Sequence, residues 1–99
     1  MKQQKYDPAV AEILANYRLP QSIPFGVELA PVMFRADFRG GRWQDGGLVP
    51  FGPVAVNPAS TALQFAQQAF EGMKAYRAGD ERPVLFRPNL NWRRFARSA

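Results

Sequence analysis

Five arginines crowd the last 18 residues of this sequence: Arg82, Arg87, Arg93, Arg94 and Arg97, with no Asp or Glu among them. Everything before them balances. Eight basic and eight acidic side chains fall between Met1 and Glu81, so the whole net charge of +5 sits in that final stretch. A guanidinium stays protonated and presents a planar fork of N–H donors that matches the oxygens of phosphate or carboxylate. The chemistry open to such a cluster is anion binding, and it has three forms. The segment can be a nucleic-acid surface, with Phe86, Trp92 and Phe95 stacking on bases beside arginine–phosphate contacts. It can be a local phosphate site. It can also be a basic helix face whose acidic partners lie elsewhere in the chain.

The other reactive side chains are few. There is no Cys, hence no disulfide framework, no thiolate zinc site and no Cys nucleophile. There is no His, which removes the imidazole base and with it a Ser-His-Asp triad within this chain. No metal site is expected. The available amines are Lys2, Lys5 and Lys74. With 99 residues, the sequence has room for one small domain of thin stability margin. Met1-Lys2-Gln3-Gln4-Lys5 is followed by no apolar run, so no signal peptide is expected, and no stretch reaches the length of a membrane span. A reducing cytoplasm is the expected location.

These groups must be held by local elements. Asp7 is placed to cap a helix with Pro8 at its first position, and Val10, Ile13, Leu14 and Tyr17 recur at helical spacing until Pro20 and Pro24 end it. Val32 to Phe38 alternates as a strand. Arg39-Gly40-Gly41-Arg42 is a tight turn, Trp43 begins the return strand, and Asp45-Gly46-Gly47 is a further turn. Val54-Ala55-Val56 reads as a short strand. Thr61 to Arg77 keeps helical spacing through Ala62, Leu63, Ala66, Ala69, Phe70 and Met73, with Gly72 the one residue against it. Ala78-Gly79-Asp80-Glu81 is a turn and Val84-Leu85-Phe86 a short apolar strand. Pro88 opens a last helix with Leu90, Arg94 and Arg97 on one side, and this helix is still running at Ser98-Ala99.

Two segments carry a family resemblance. Leu63-Gln64-Phe65-Ala66-Gln67-Gln68-Ala69-Phe70-Glu71-Gly72-Met73-Lys74-Ala75-Tyr76-Arg77 closely resembles a signature of the branched-chain amino acid aminotransferases. These are class IV, fold type IV enzymes that use pyridoxal 5'-phosphate. Leu85-Phe86-Arg87-Pro88-Asn89-Leu90-Asn91-Trp92-Arg93-Arg94-Phe95-Ala96-Arg97-Ser98-Ala99 resembles the next block of the same family. Pro24-Phe25-Gly26-Val27 and Met33-Phe34 fit its beginning. Two long motifs at the right separation are far more specific than one short pattern.

The resemblance implies a fold and a division of the chain. Residues 1–23 would be an N-terminal helix and linker. Residues 24–99 would be the family's small α+β domain, incomplete at its C-terminus, and the large cofactor-binding domain would be absent. It replaces the long helix over Thr61–Arg77 with a short helix near Thr61–Gln68, a strand near Phe70–Arg77 and a partner strand near Pro83–Phe86. Gly72 suits a strand that approaches a neighbour closely.

The resemblance also implies a function. The full enzyme would move an amino group between leucine, isoleucine or valine and 2-oxoglutarate, as part of branched-chain amino acid metabolism. Arg94 matches the arginine that contacts the cofactor phosphate, while Arg93 is assigned to solvent and Arg87 to a structural place before Pro88. Phe25, Phe65 and Phe70 fall where the family lines the substrate pocket. Gln64-Phe65 replaces the usual His-Tyr, which removes a hydroxyl from the pocket wall. Lys74 matches a non-catalytic position, and the Schiff-base lysine is expected beyond Ala99, so the chain alone is expected to be inactive. Its partners would be amino acid and 2-oxo acid substrates and a second copy in a homodimer, with neither nucleic acid nor membrane. The alternative is a small basic module that binds nucleic acid or another polyanion through the segment from Arg82 on.

Overall fold

The computed structural model describes residues 7–99. The opening segment Met1-Lys2-Gln3-Gln4-Lys5, with its two lysines, lies outside the described residues. Contacts divide the chain into two units, Met1–Val54 and Ala55–Ala99. The described residues form three helices and three two-stranded antiparallel sheets, an α+β content. Among them no helix is long and apolar enough to cross a membrane.

The first unit opens with α1 (Pro8–Asn16). Asp7 is extended, and its carboxylate accepts the Ala9 backbone N–H at 2.9 Å, satisfying one of the donors a helix start leaves without a partner. Pro8 sits where no donor is needed. Tyr17 returns to extended backbone while its N–H still reaches the Ile13 carbonyl at 2.9 Å, ending the helix ahead of Pro20.

The alternation over Val32–Phe38 resolves into two short strands, β1 (Val32–Arg35) and β2 (Phe38–Arg39), with β3 (Arg42–Trp43) and β4 (Gly47–Pro50) returning. β2 pairs with β3, Phe38 opposite Trp43 and Arg39 opposite Arg42, around the expected turn. Gly40 and Gly41 both take positive φ (+58° and +75°), as the type I′ form of a two-residue hairpin turn requires at both positions. The Phe38 and Trp43 rings meet edge to face at 5.4 Å. β1 pairs with β4 from Val32 opposite Pro50 to Arg35 opposite Gly47, so Gly47 starts a strand that the sequence reading placed in a turn.

Between the two ladders the outgoing side has Ala36-Asp37 and the returning side Gln44-Asp45-Gly46, an unequal count that interrupts the pairing. A side chain at Gly46 would run into the Phe34 ring and Ala36. Asp37 holds this break from the outgoing side. It accepts from Arg35 at 3.0 and 3.2 Å and from Arg39 at 3.0 Å, and the Arg35 hydrogen bonds are the main reason its carboxyl lies below the usual range. α1 packs on β4 and β1 and is tied there by the Asp7 N–H to the Leu48 carbonyl at 3.1 Å. Val10, 1% exposed, is the one fully buried side chain among the described residues.

The second unit holds α2 (Thr61–Gln64), β5 (Ala75–Arg77), β6 (Pro83–Leu85) and α3 (Pro88–Ser98). The short helix expected to Gln68 stops at Gln64, because Ala66 takes a left-handed backbone (φ +50°). Two glutamine side chains then tie the loop: Gln64 Nε2 donates to the Pro58 carbonyl at 2.7 Å and Gln68 Nε2 to the Ala62 carbonyl at 3.1 Å.

β5 and β6 form the expected antiparallel pair, Ala75 opposite Leu85 and Arg77 opposite Pro83, but both strands are shorter than expected. The ladder cannot run back toward Phe70. Arg87 turns the chain with a left-handed backbone (φ +48°, ψ +51°) and Pro88 has no N–H to offer. Val54-Ala55-Val56 forms no strand; it has no ladder partner among the described residues. α3 begins at Pro88 as expected, with the Leu90 N–H on the Arg87 carbonyl at 3.0 Å.

Candidate functional site

The second unit brings Glu71, Gly72, Asn91 and Arg94 together. Asn91 and Arg94 lie three positions apart on α3, so their side chains project from one face. Glu71 and Gly72 lie in the irregular segment before β5, whose backbone is free of the ladder and bonds to α3 instead. The Asn91 amide donates to the Gly72 carbonyl at 2.9 Å and to Glu71 Oε1 at 3.1 Å. The Gly72 N–H donates to Glu71 Oε1 at 2.9 Å. Arg94 completes the cluster through two contacts, Nε to Glu71 Oε2 and Nη2 to Glu71 Oε1.

The carboxylate thus accepts four hydrogen bonds while its side chain is 8% exposed. A buried carboxylate is tolerated when its lone pairs are filled and a cation is paired with it. The Arg94 hydrogen bonds dominate, and against the desolvation that opposes them they hold the Glu71 carboxyl at about 2. The same hydrogen bonds raise Arg94 above its ordinary value.

Arg94 uses its side edge, Nε and Nη2, on Glu71. A guanidinium has five N–H donors. The two on Nη1 and the outer one on Nη2 find no partner among the described residues, and the side chain is 65% exposed. The end fork is therefore open to an anion. Arg94 also lines a shallow hollow of about 630 Å³, together with Leu90, Trp92, Arg93 and Arg97. Arg93, assigned to solvent in the sequence reading, is exposed and also borders that open hollow.

The aromatic residues are placed unevenly. The Phe70 ring folds back over Gly72, whose missing side chain would begin 3.9 Å from the ring tip. The Phe70 ring is otherwise exposed. Phe65 follows α2, with its N–H on the Thr61 carbonyl at 2.9 Å, and its ring is exposed. Phe25 belongs to the first unit, before Gly26 (φ +76°), and is exposed there. Lys74 extends over the Tyr76 ring, Nζ to centroid 5.6 Å, next to a small hollow of about 180 Å³ that Asn91 also lines.

Sequence reasoning did not single out Glu71. The signal was present in one form only, the expectation that the basic helix face has acidic partners elsewhere. Glu71 is such a partner for Arg94, and Asp80 pairs with Arg82. The acid-free segment is thus partly neutralised from upstream, and nothing in the structure favours the polyanion alternative.

The chain is 42% identical over 94 residues to the probable branched-chain-amino-acid aminotransferase of Streptomyces coelicolor, covering 94% of this chain and 24% of that protein. It is 39% identical over 80 residues to branched-chain-amino-acid transaminase 1 of Bacillus subtilis, covering 80% of this chain and 22% of that protein. It is 36% identical over 90 residues to the cytosolic branched-chain-amino-acid aminotransferase of Mus musculus, covering 90% of this chain and 23% of that protein. The chain spans about a quarter of the length of these curated relatives. No protein-family model matches it.

Proposed function

The chain belongs with the branched-chain-amino-acid aminotransferases over the stretch it shares with them, and from that premise we propose that it forms the part of such an enzyme that grips the phosphate of pyridoxal 5'-phosphate and walls one side of the substrate pocket. The reaction is amino transfer between leucine, isoleucine or valine and 2-oxoglutarate. The fold is the small domain of the fold type IV enzymes, with residues 24–99 as the domain and residues 1–23 as its leading helix and linker. The working protein is a cytoplasmic homodimer, and the catalytic lysine is supplied beyond Ala99.

The observation that carries this reading is the open end fork of Arg94. Two coplanar donors on a permanently charged group match the oxygens of a phosphate, and Arg94 keeps such a pair free while its other edge is anchored. The cofactor, when bound, supplies an electron sink for the carbon from which the amino group departs. This chain's own residues bind and orient. Arg94 holds the phosphate, and Phe70 and Phe65 of the same unit, both exposed, offer an apolar surface to a branched side chain. Such a wall discriminates by about 1–3 kcal/mol per methylene. Lys74, drawn over Tyr76, binds no substrate in this scheme.

The test is Arg94→Gln in the protein carrying this chain. Losing a charge-assisted pair of bonds to phosphate costs about 1.5–3 kcal/mol, so affinity for pyridoxal phosphate falls roughly 10- to 100-fold. Affinity for pyridoxal, which has no phosphate, stays level. An unchanged preference for the phosphorylated form refutes the reading.

A further inference from the structure

We propose that Glu71 is the positioning residue for Arg94, with Asn91 as its anchor, so that the phosphate preference of the site is set by an acidic side chain that itself never touches phosphate. This rests on the phosphate reading of Arg94 given above. Three relationships carry it.

The first is the edge used. Arg94 meets Glu71 through Nε and Nη2, which fixes both the direction and the rotation of the guanidinium plane and leaves the end fork outward. A contact through the two terminal nitrogens would have consumed that fork.

The second is that Glu71 is fixed in turn. Its Oε1 accepts the Gly72 N–H at 2.9 Å and Asn91 Nδ2 at 3.1 Å, while Asn91 also donates to the Gly72 carbonyl at 2.9 Å. Asn91 and Arg94 come from the same helix, so α3 and the segment before β5 are clamped at the point from which the guanidinium projects. The third is exposure: the Glu71 side chain is 8% exposed and that of Arg94 65% exposed. The anchored side of the pair faces inward, and the binding side faces out.

A carboxylate beside a phosphate-binding cation also repels the anion, and this gives the proposal a distinctive sign. Were Glu71 only a charge balance, Glu71→Gln would strengthen phosphate binding by removing a negative charge. As a positioning residue, its loss releases the guanidinium from its plane and weakens phosphate binding, because fixed geometry at the fork is what a two-point contact needs.

The experiment measures the affinity ratio of pyridoxal phosphate to pyridoxal, by titration of the cofactor-free protein that carries this chain, for wild type, Glu71→Gln, Asn91→Ala and Arg94→Gln. The expected result is a drop in the ratio of about tenfold for Glu71→Gln and a smaller drop for Asn91→Ala, with pyridoxal affinity unchanged. A ratio that rises or stays level in Glu71→Gln while Arg94→Gln lowers it overturns this inference alone. Equal losses for both ligands make Glu71 merely structural and overturn it too. An unchanged ratio in Arg94→Gln overturns the phosphate reading itself.

Discussion

Glu71 and Arg94 stand 23 positions apart in the sequence and meet as a two-point ion pair that Asn91 and the Gly72 N–H complete from the carboxylate side. The pair joins the segment before β5 to α3, so its protonation state bears on the cohesion of the second unit.

That dependence has a definite pH window. The Glu71 carboxyl is lowered from 4.5 to about 2 in the folded chain. A group with a depressed folded value contributes stability that is complete above its unfolded value and disappears as pH falls through the folded one. The second unit should therefore lose stability progressively between about pH 4.5 and pH 2. In Glu71→Gln the neutral amide cannot titrate, and that acid-dependent portion should vanish, leaving a flatter profile. Denaturation monitored at a series of pH values compares the two slopes, and identical slopes would refute the assignment.

The start of α1 makes a second, independent prediction. Asp7→Ala leaves the Ala9 N–H without its acceptor and should destabilise the helix by about 1 kcal/mol, while Asp7→Ser or Asp7→Asn should recover most of it. Amide hydrogen exchange at Ala11 and Glu12 reads the local opening directly. Faster exchange is expected in the alanine variant and near-normal exchange in the other two.

Arg87 provides the third. It holds a left-handed backbone immediately before Pro88, a conformation that costs a non-glycine residue about 1–2 kcal/mol. Arg87→Gly removes that cost but gains freedom in the unfolded chain, so the net stabilisation should be below about 1 kcal/mol. Arg87→Val should destabilise, because a β-branched side chain fits this region worst. Urea denaturation of both variants checks the opposite signs. A destabilised glycine variant would mean that the arginine side chain is needed at the turn.

The sequence by itself determined the features that close within a few residues. Asp7-Pro8 starts α1, Gly40-Gly41 turns the hairpin, and Pro88 starts α3, each for a reason contained in its own backbone geometry. The antiparallel pairing of β5 with β6 was legible too, from motif resemblance rather than from periodicity. The expected strand at Val54–Val56 and the full strand from Phe70 were not formed, because a strand exists only where another backbone is present to accept its hydrogen bonds.

Only the tertiary structure decided that the chain at Glu71 and Gly72 bonds to α3 instead of to a ladder, and that Glu71 is the acid facing Arg94. Local geometry fixes which way a chain turns. The partner of a charge is chosen by what packing brings within 3 Å of it, across a separation that spacing along the sequence does not encode.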